Sequence, residues 1–587
     1  MSLVLSKASI FGLNLFRLKI ALLFISFFFF YYSVSIAQPF DKYPKDYFRS
    51  PLDIPLFLAG NFAEIRPNHF HGGIDIKTES VEGKNIYATA DGYISRIKIK
   101  HGGYGKTLYI NHPNGYTTVY AHLQKFNDEI EAYVQKKQYQ KESYEIDIYL
   151  KEGILPISKS EVIALGGNSG GSSGPHLHFE IRDTKTEYPL NPLLFGFNIK
   201  DNIKPKIRLV GVYPIDENST INFSNSSKIF QVIKKEDEYT INENIEVAGN
   251  IGFAIEVRDY LNGSNNRCGV YSIELFIDSN KIYRHNLEKV GFHETRYINS
   301  LVDYERWNKD GQILQRSFLQ PNNKLGIYEQ VQNHGIYTVK DTLLHVAKYI
   351  ITDSYGNQSV LDFNFKGGFP KKIDMTPKKC TTEFKSEEYN SFENEAIIFS
   401  IPKNALYEDL CFEYKKSKAK MGSITNWHHI HNVYTPIHRK ATISMKIDSI
   451  YRKFEEKIVL ARIDKKGELD VYGGTVKDGY VTSKTKKLGA YSLLVDSIPP
   501  KITPIKFGEN MENFDEIKIK ITDDLSGIAS YRGTIDNNWI LMEYDYKTDM
   551  LTYYFDNKRV PKGKHAFELT IIDDRNNISK LNKTFIR

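Results

Sequence analysis

Apolar and polar positions alternate over most of this chain in short runs of the kind that form β-strands. After Pro205 the runs are rich in Val, Ile, Tyr and Phe, and they are broken by turns of Asp, Asn and Gly. Alternation with a period of two places one face of a strand in a core and the other in solvent. The pattern therefore predicts a mostly β protein without a helix-rich or coiled-coil segment.

Four similar phrases recur in this C-terminal part, at residues 255–259, 351–357, 521–527 and 571–577. Each is an alternating strand that runs into a turn of Asp, Asn and Gly. Turn signals at regular spacing are typical of β-sandwich modules of roughly 100 residues. The repetition predicts several such modules in series. The first and last of them resemble immunoglobulin-like folds in their pattern of short alternating strands and polar turns.

Proline and glycine residues that interrupt the strand pattern predict where the domains begin. Pro205, Pro370 and Pro500 each precede a fresh run of strands. A chain of 587 residues is too long for one core, so about three to five domains are expected. The predicted organisation is a leader over 1–37, a first domain over 38–204 with an insertion at about 124–160, and three β-modules over 205–370, 371–497 and 498–587.

The N-terminus predicts export. Lys7, Arg17 and Lys19 precede an apolar run that begins at Ile20 and ends at Ala37, which is typical of a secretory signal cleaved after Ala37. The alternative is an uncleaved anchor, because an apolar stretch of about 18 residues could just span a bilayer. In both cases we expect the body of the protein in the periplasm, the cell envelope or the extracellular space.

Charge and cysteine content narrow the function classes. The chain has 78 basic and 71 acidic residues, a formal net charge of +7, and this near balance does not favour a nucleic-acid partner, which usually selects a concentrated basic face. Three cysteines, Cys268, Cys380 and Cys411, are too few for a disulfide scaffold. Cys380 and Cys411 could form one bridge or remain free thiols, and the sequence leaves both open.

Two histidine motifs about a hundred residues apart predict a metal site. The first runs from His71 to Asp75, and the second contains His176 and His178. Two imidazoles and one carboxylate, from His71, Asp75 and His178, are the ligand set of a catalytic zinc with an open fourth position, and they suit Mg²⁺ or Ca²⁺ less well. His176 shares a strand face with His178 and stays free, and His122, on another predicted strand, could reach the same pocket.

The order of these motifs resembles the lysostaphin-type, or LytM-domain, zinc peptidases, which cut peptidoglycan cross-bridges. The sequence has H-x-x-x-D, then Tyr-Ala-His-Leu on a strand, then a glycine-rich turn and Gly-Pro-His-Leu-His-Phe-Glu. The resemblance covers roughly residues 60–195 and includes segments 88–94, 103–110 and 189–192. It implies an antiparallel β-sheet peptidase domain.

Carried over residue by residue, the resemblance implies one zinc ion per chain held by His71, Asp75 and His178, with His122 and His176 as the catalytic pair. Zinc would polarise the scissile carbonyl and lower the pKa of water toward ~7. One free histidine would take the water proton and pass it to the leaving amine, while the other stabilises the oxyanion. The sequence does not decide which does which.

The function expected from this resemblance is that of an exported zinc metalloendopeptidase acting on peptidoglycan stem or cross-bridge peptides. The β-modules would associate with the cell wall or envelope, or the first of them could instead pack against the groove and be needed by the peptidase domain. One alternative function is a non-catalytic activator of other wall hydrolases, against which the complete set of five site residues argues. The other is an exported peptidase that digests proteins.

Two features of the first domain stay open at this level. The insertion at about 124–160 is charged and moderately helical in propensity, and it is either a solvated surface excursion or one wall of the substrate groove. His69, two residues before His71, is expected at the rim of the site or beside a ligand rather than on the metal.

Overall fold

The computed structural model describes residues 42–236, 238–369 and 380–587. The predicted leader over 1–37 and the predicted boundary at 370 lie outside these residues. The predicted mostly β class is confirmed by the strands given below. Among the described residues, no helix combines the length and the apolar character needed to cross a bilayer. The domain boundaries and the site assignments stay predictions.

The first domain is built on one large sheet. The strands of the domain, β1 to β13 in chain order, are Leu58–Gly60, Ile65–Arg66, His69–Phe70, Ile74–Lys77, Asn85–Tyr87, Gly92–Ile99, Lys106–Asn111, Tyr116–Phe126, Ile146–Tyr149, Pro156–Ile157, Val162–Gly166, His176–Asp183 and Pro189–Leu190. Of these, β2 and β3 pair with each other in a separate two-stranded sheet. The main path of the sheet is β1-β4-β12-β8-β7-β6-β10, with antiparallel neighbours. The strand β12 therefore lies between β4 and β8.

The predicted insertion contains the helix α1, Asp128–Lys141. Its N-cap is Asn127, whose side chain accepts a hydrogen bond from the amide of Ile130 (2.9 Å), and acidic residues in the first turn favour the helix dipole. Ile130 and Val134 are buried, one helical turn apart. One face of the insertion is therefore part of the core, while the rest of the helix is polar.

The first β-module forms a connected sheet and two short helices. Strands β14 to β26 are Lys206–Pro214, Thr220–Ile221, Lys228–Gln231, Ile233–Lys235, Glu238–Thr240, Glu246–Arg258, Ser272–Ile277, Asn280–Asn286, Gln315–Arg316, Tyr328–Val331, Tyr337–Val339, Leu344–Thr352 and Gln358–Gly368. Helices α2 and α3 are Ile298–Leu301 and Tyr304–Asp310. The long strand β19 pairs with β14 on one side and with β26 on the other, and the module encloses its own apolar core.

The second β-module has two five-stranded sheets around a separate core. Strands β27 to β38 are Glu383–Phe384, Asn390–Glu393, Ile397–Ile401, Leu410–Cys411, Tyr414–Ser417, Trp427–Ile430, Ala441–Lys446, Ile458–Ile463, Leu469–Val471, Thr475–Lys477, Tyr480–Thr485 and Gly489–Val495. A disulfide joins Cys380 to Cys411, which resolves the pairing that the sequence left open, and Cys268 is a buried free thiol.

The third β-module is a sandwich of two four-stranded sheets, β39-β40-β44-β43 and β42-β41-β45-β46. Strands β39 to β46 are Lys501–Lys506, Glu516–Thr522, Ile528–Ile535, Asn538–Trp539, Glu543–Asp545, Met550–Tyr554, Lys564–Asp573 and Ile578–Ile586. Short 3-10 helices complete the chain at Pro192–Phe195, Thr295–Tyr297, Asn333–Gly335 and Ser449–Lys457.

A small unit of its own comprises the described residues up to Tyr47 together with Leu194–Gly196. The ammonium group of Lys45 donates to the carbonyl oxygen of Leu194 (2.8 Å), and the rings of Tyr43 and Phe195 lie 4.7 Å apart. The other described residues, from Phe48 to Leu193 and from Phe197 onward, form the second unit, which contains the site described next.

Candidate metal centre and active site

Three ligand atoms converge on one point above one face of the sheet. The distances are 3.0 Å from His71 Nε2 to His178 Nδ1, 2.9 Å from His178 Nδ1 to Asp75 Oδ1, and 3.0 Å from His71 Nε2 to Asp75 Oδ1. All three residues are buried. Lone pairs that meet this closely need a proton or a cation between them, so the arrangement can hold a metal ion.

Strand pairing brings two of these ligands together. In β4 and β12, Asp75 and His178 are direct partners, so their side chains leave the sheet on the same face. The turn before β4 carries His71 to them, and it passes so close to β12 that a Cβ on Gly73 would lie 2.3 Å from the carbonyl oxygen of Phe179. Glycine at this position is therefore required by the close approach of two backbones.

Each imidazole ligand is oriented by a hydrogen bond from its other nitrogen. Nδ1 of His71 donates to the carbonyl oxygen of Asn61 (2.8 Å), and Nε2 of His178 donates to Oε1 of Glu180 (2.9 Å). Because a carbonyl or carboxylate oxygen can only accept, each ring carries its proton on the nitrogen that faces that oxygen. The lone pairs of His71 Nε2 and His178 Nδ1 are then free to bind a metal. Orientation of this kind is typical of histidine ligands in metal sites.

The carboxylates around the site are held by arginines. Glu180 is fully buried and accepts hydrogen bonds from Arg182 Nε (2.6 Å) and from the hydroxyl of Tyr104. Oδ2 of Asp75 accepts from Arg66 (2.6 Å), which leaves Oδ1 directed at the two imidazoles. Sequence reasoning missed Asn61, Glu180 and Arg66, although Glu180 lies inside the quoted second motif.

Electrostatics place one proton in the metal-free centre. Burial lowers the pKa of His71 to about 4. Burial also opposes charge on His178, but hydrogen bonds to Asp75 and Glu180 outweigh it and raise the pKa of His178 to about 9. At neutral pH His178 therefore holds the proton that a metal ion would displace, as expected for imidazole ligands.

His122 reaches this centre through a β-bulge. Its neighbour Ala121 is the pairing partner of His178, so regular alternation would turn His122 to the opposite face of the sheet. The backbone at His122 instead has φ +60°, and the register between β7 and β8 shifts at this point. As a result the His122 ring lies 4.8 Å from that of His176 and 5.9 Å from that of His178.

Both non-ligand histidines have one nitrogen fixed by a backbone carbonyl. Nδ1 of His122 donates to Ser169 O and Nδ1 of His176 donates to Gly174 O, each at 2.9 Å. Their Nε2 atoms are therefore available for proton transfer, and Nε2 of His176 lies 3.5 Å from Asp75 Oδ1. Burial, with the nearby imidazoles, lowers the pKa of His122 to about 3, so this ring is neutral at pH 7. The glycine-rich turn thus positions the pair.

Two other histidines of the domain, His69 and His112, are not part of this cluster. His69 is exposed and its Nδ1 contacts the carbonyl oxygen of Pro67 (2.9 Å). His112 is buried between Asp91 O (2.8 Å) and Thr118 Oγ1 (2.7 Å), which is a structural role. All five predicted site residues are brought together, and these two are not among them.

The first β-module contacts the metal centre from outside. The side chain of Asn61 donates to Gly269 O and accepts from Gly269 N, both at 2.8 Å. Phe62 and Phe70 of the peptidase domain belong to an apolar cluster supplied mostly by the first β-module. The guanidinium of Arg182 lies over the ring of Phe292 (4.6 Å). This module is therefore packed against the residues that orient the ligands.

The third β-module contacts the glycine-rich turn and the insertion. The buried Lys106 forms an ion pair with Glu543 (3.0 Å), and the ammonium of Lys547 donates to the carbonyl oxygen of Ser172 (3.3 Å). On α1, the ring of Tyr139 lies 5.1 Å from that of Trp539. The insertion therefore packs on this module and is not purely a solvated excursion, while its role as a wall of the substrate groove stays a prediction.

Family models match two parts of the chain. Residues 69–139 match the model described as Peptidase family M23, and residues 381–496 match the model described as a Zu5-like domain. The M23 match includes His71, Asp75 and His122. The chain carries a LytM-type M23 peptidase domain, and the resemblance seen in the sequence is confirmed.

Curated relatives share this part of the sequence. The DD-carboxypeptidase/endopeptidase Mpg of Neisseria meningitidis serogroup B is 35% identical over 123 residues, 21% of this chain and 22% of that protein. An uncharacterized metalloprotease of Haemophilus influenzae is 30% identical over 166 residues, 26% and 29% of the two chains. The peptidoglycan DD-endopeptidase ShyB of Vibrio cholerae is 33% identical over 111 residues, 19% and 20%. The chain therefore spans less than a third of the length of these relatives.

Solved structures are also similar to part of the chain. The catalytic domain of lysostaphin from Staphylococcus simulans is 18% identical and covers 23% of this chain and 87% of its own, with a TM-score of 0.17. A zinc-containing peptidase from Vibrio cholerae is 26% identical and covers 25% of this chain and 39% of its own, with a TM-score of 0.19.

Proposed function

We propose that this protein is an exported zinc metalloendopeptidase that hydrolyses peptide bonds in peptidoglycan stem or cross-bridge peptides. The observation that carries the proposal is the convergence of His71 Nε2, Asp75 Oδ1 and His178 Nδ1 within 3.0 Å, with two oriented imidazoles beside them. Three ligands of this type leave a fourth position for water or substrate, which is the composition of a catalytic zinc site.

The donor set fits zinc because it combines two imidazole nitrogens with one carboxylate oxygen and has an orienting partner for every ligand. Bound there, zinc would supply Lewis acidity toward the scissile carbonyl and toward water. One ion per chain is expected, since His71, Asp75 and His178 offer a single point of convergence.

The chain itself supplies the proton transfers. His122 and His176 present Nε2 on the same side of the sheet as the ligands, while their Nδ1 atoms stay tied to carbonyl oxygens. One of these rings would accept the water proton and return it to the leaving amine, and the other would stabilise the charge on the tetrahedral oxygen.

The substrate class is supported by the relatives. Two of them are named as a DD-carboxypeptidase/endopeptidase and a peptidoglycan DD-endopeptidase, which favours a bond in or between peptidoglycan stem peptides. The basic and apolar leader at 1–37 supports export to the periplasm, envelope or outside of the cell, where such a substrate is found. The β-modules would hold the enzyme at the wall or envelope.

The test is a digestion of purified peptidoglycan by the chain from residue 38 onward, with separation of the products by mass. We expect cross-linked muropeptides to fall and new free amines to appear, with both effects abolished by a chelator and restored by zinc. Casein in a parallel reaction should stay intact. Cleavage of casein with intact peptidoglycan would overturn the substrate assignment.

Matched histidine variants separate the site from general damage. His178→Ala removes a ligand and should abolish both zinc binding and cleavage. His69→Ala changes an exposed histidine two residues before His71 and should leave both unchanged. Zinc retained at one per chain in the His178→Ala variant would contradict the proposed centre.

A further inference from the structure

Three aspartates meet at one end of the first β-module, beside the segment that enters it from the peptidase domain. Asp201 lies in that segment, Asp259 follows β19 and Asp353 follows β25. One carboxylate oxygen from each residue lies within 4.8 Å of the other two. Asp259 is 2% exposed and Asp353 is 1% exposed, while Asp201 is half-buried.

This cluster contains oxygens with no partner. Oδ1 of Asp259 and Oδ2 of Asp201 are buried and accept no hydrogen bond, and the buried hydroxyl of Tyr355 is also unpaired. In the part of the chain that the structure describes, no Lys or Arg forms an ion pair with the three aspartates. Burial and the neighbouring carboxylates raise the pKa of Asp259 to about 8. Buried carboxylates with unpaired oxygens are unfavourable unless a proton or a cation lies among them, and a cation would allow all three to be charged.

We propose that Asp201, Asp259 and Asp353 bind a calcium ion. Calcium takes six to eight oxygen ligands in irregular geometry, whereas magnesium demands near-ideal octahedral geometry and keeps several waters. Asp353 is already fixed for the role, because its Oδ1 accepts the amides of Tyr355 (2.8 Å) and Asn357 (2.9 Å). The site does not depend on the proposed peptidase function.

The third β-module repeats the arrangement and shows what distinguishes the first. Asp496, Asp523 and Asp573 also lie within 4.8 Å of one another at the corresponding strand ends. Asp523, which follows β40 as Asp259 follows β19, differs from Asp259 in its hydrogen bonds, because its Oδ2 accepts the amides of Leu525 (3.1 Å) and Gly527 (2.7 Å). In the described part of the chain, none of these three aspartates has a buried carboxylate oxygen that lacks a hydrogen-bond partner. We therefore restrict the proposal to the first β-module.

The calcium site is connected to the metal centre by a short path. Asp259 and Cys268 exchange two backbone hydrogen bonds (3.1 and 2.9 Å). The next residue, Gly269, is the one that exchanges two hydrogen bonds with Asn61, whose carbonyl orients His71. Calcium that neutralises Asp259 would order the loop 259–269 and with it the support of His71.

Isothermal titration of the zinc-loaded chain with Ca²⁺ tests the proposal directly. We expect binding in the range of about 10⁻⁴ to 10⁻³ M that extracellular modules show, a higher thermal midpoint with Ca²⁺ than with an equal concentration of Mg²⁺, and slower hydrogen exchange in segment 259–269. No rise of the midpoint at roughly 10 mM Ca²⁺, more than tenfold above that range, would overturn the proposal.

Isosteric variants locate the site. Asp259→Asn should lose this binding and its effect on hydrogen exchange, and Asp201→Asn, in a half-buried segment outside the sheet, should weaken the binding at least tenfold without affecting the fold. Asp523→Asn is the matched control at the equivalent strand end and should leave segment 259–269 fully responsive to Ca²⁺. Circular dichroism and zinc content establish folding, and if Asp259→Asn is misfolded, Asp201→Asn decides. An unchanged response in a folded Asp201→Asn variant contradicts the assignment.

Discussion

Asn61 and Gly269 exchange two hydrogen bonds of 2.8 Å, although they belong to the peptidase domain and the first β-module. The same Asn61 accepts a hydrogen bond from His71 Nδ1 through its carbonyl oxygen (2.8 Å). One residue therefore connects a proposed zinc ligand to a neighbouring module. The geometry of the metal centre depends on contacts outside the domain that contains it.

Asn61→Ala should lower zinc affinity by about tenfold, because the loop that carries the carbonyl for His71 loses its anchor. The partly buried amide of Gly269 would be left without this acceptor, at a cost of about 1 kcal/mol in the free energy of unfolding. Zinc competition titrations and denaturant unfolding measure the two effects. Asn127→Ala, which removes the cap of α1, is the control: it should lower stability by about 1 kcal/mol and leave zinc affinity unchanged.

Glu180→Gln should weaken zinc binding by about 10- to 100-fold, because the neutral amide orients the imidazole of His178 less firmly than the carboxylate. Glu256→Gln is a close control, since Glu256 is also buried and also pairs with the arginine two residues later (2.6 Å). Equal zinc affinity in the two variants would show that Glu180 has no role beyond its arginine pair.

His122→Ala and His176→Ala should each keep one zinc per chain and lose activity by ~10²-fold or more, because both rings lie beside the ligands without being ligands. Zinc content by elemental analysis and turnover on a cross-linked muropeptide are the two measurements. Near-normal turnover in both variants would contradict the catalytic assignment.

A chain that ends at residue 204 should be insoluble or depleted of zinc. It would expose Phe62 and Phe70, whose cluster is completed by the first β-module, at roughly 1.5–3 kcal/mol for each ring. A chain that ends at 497 keeps this cluster and should stay soluble. A soluble, zinc-loaded and active chain ending at 204 would instead show that the β-modules only target the enzyme.

The contribution of Asp259 and Asp201 to the stability of the calcium-free protein should fall as pH rises from about 5 to about 8, which is measured as the difference in stability from the Asp259→Asn variant. Burial raises the pKa of Asp259 to about 8 and that of Asp201 to about 6, and a carboxyl with a raised folded pKa stabilises the fold at low pH and loses that contribution as pH passes through the folded value. The pKa values of Cys268 and Tyr355, which face the cluster, are raised out of this range.

Calcium should reduce this pH dependence, because it binds the charged carboxylates. Denaturant unfolding at about pH 5 and about pH 8, with and without Ca²⁺, measures the effect. The Asp259→Asn variant should lose the part of the pH dependence that Ca²⁺ removes, and Asp523→Asn should retain it. A difference in stability between the calcium-free protein and its Asp259→Asn variant that is the same at both pH values would contradict the raised values.

The sequence by itself determined the parts that depend on local order. The turn from His71 to Asp75 and the alternation that places His176 and His178 on one face both follow from spacing along the chain, because side-chain direction in a strand has a period of two. The same periodicity, summed over many short runs, predicted the mostly β class. The repeated turn phrases marked the strand ends where four of the six aspartates of the two clusters lie, though not that these aspartates meet.

Only the tertiary structure decided which face His122 takes. Alternation from Ala121 gives the wrong face, and the correct one results from a bulge that pairing with neighbouring strands imposes on β8. The hydrogen bonds between Asn61 and Gly269 could not be predicted for the same reason, nor could the proximity of Asp201 to Asp259. These contacts join residues far apart in the chain, and only the packing of whole strands and modules brings their side chains within hydrogen-bonding or ligand distance.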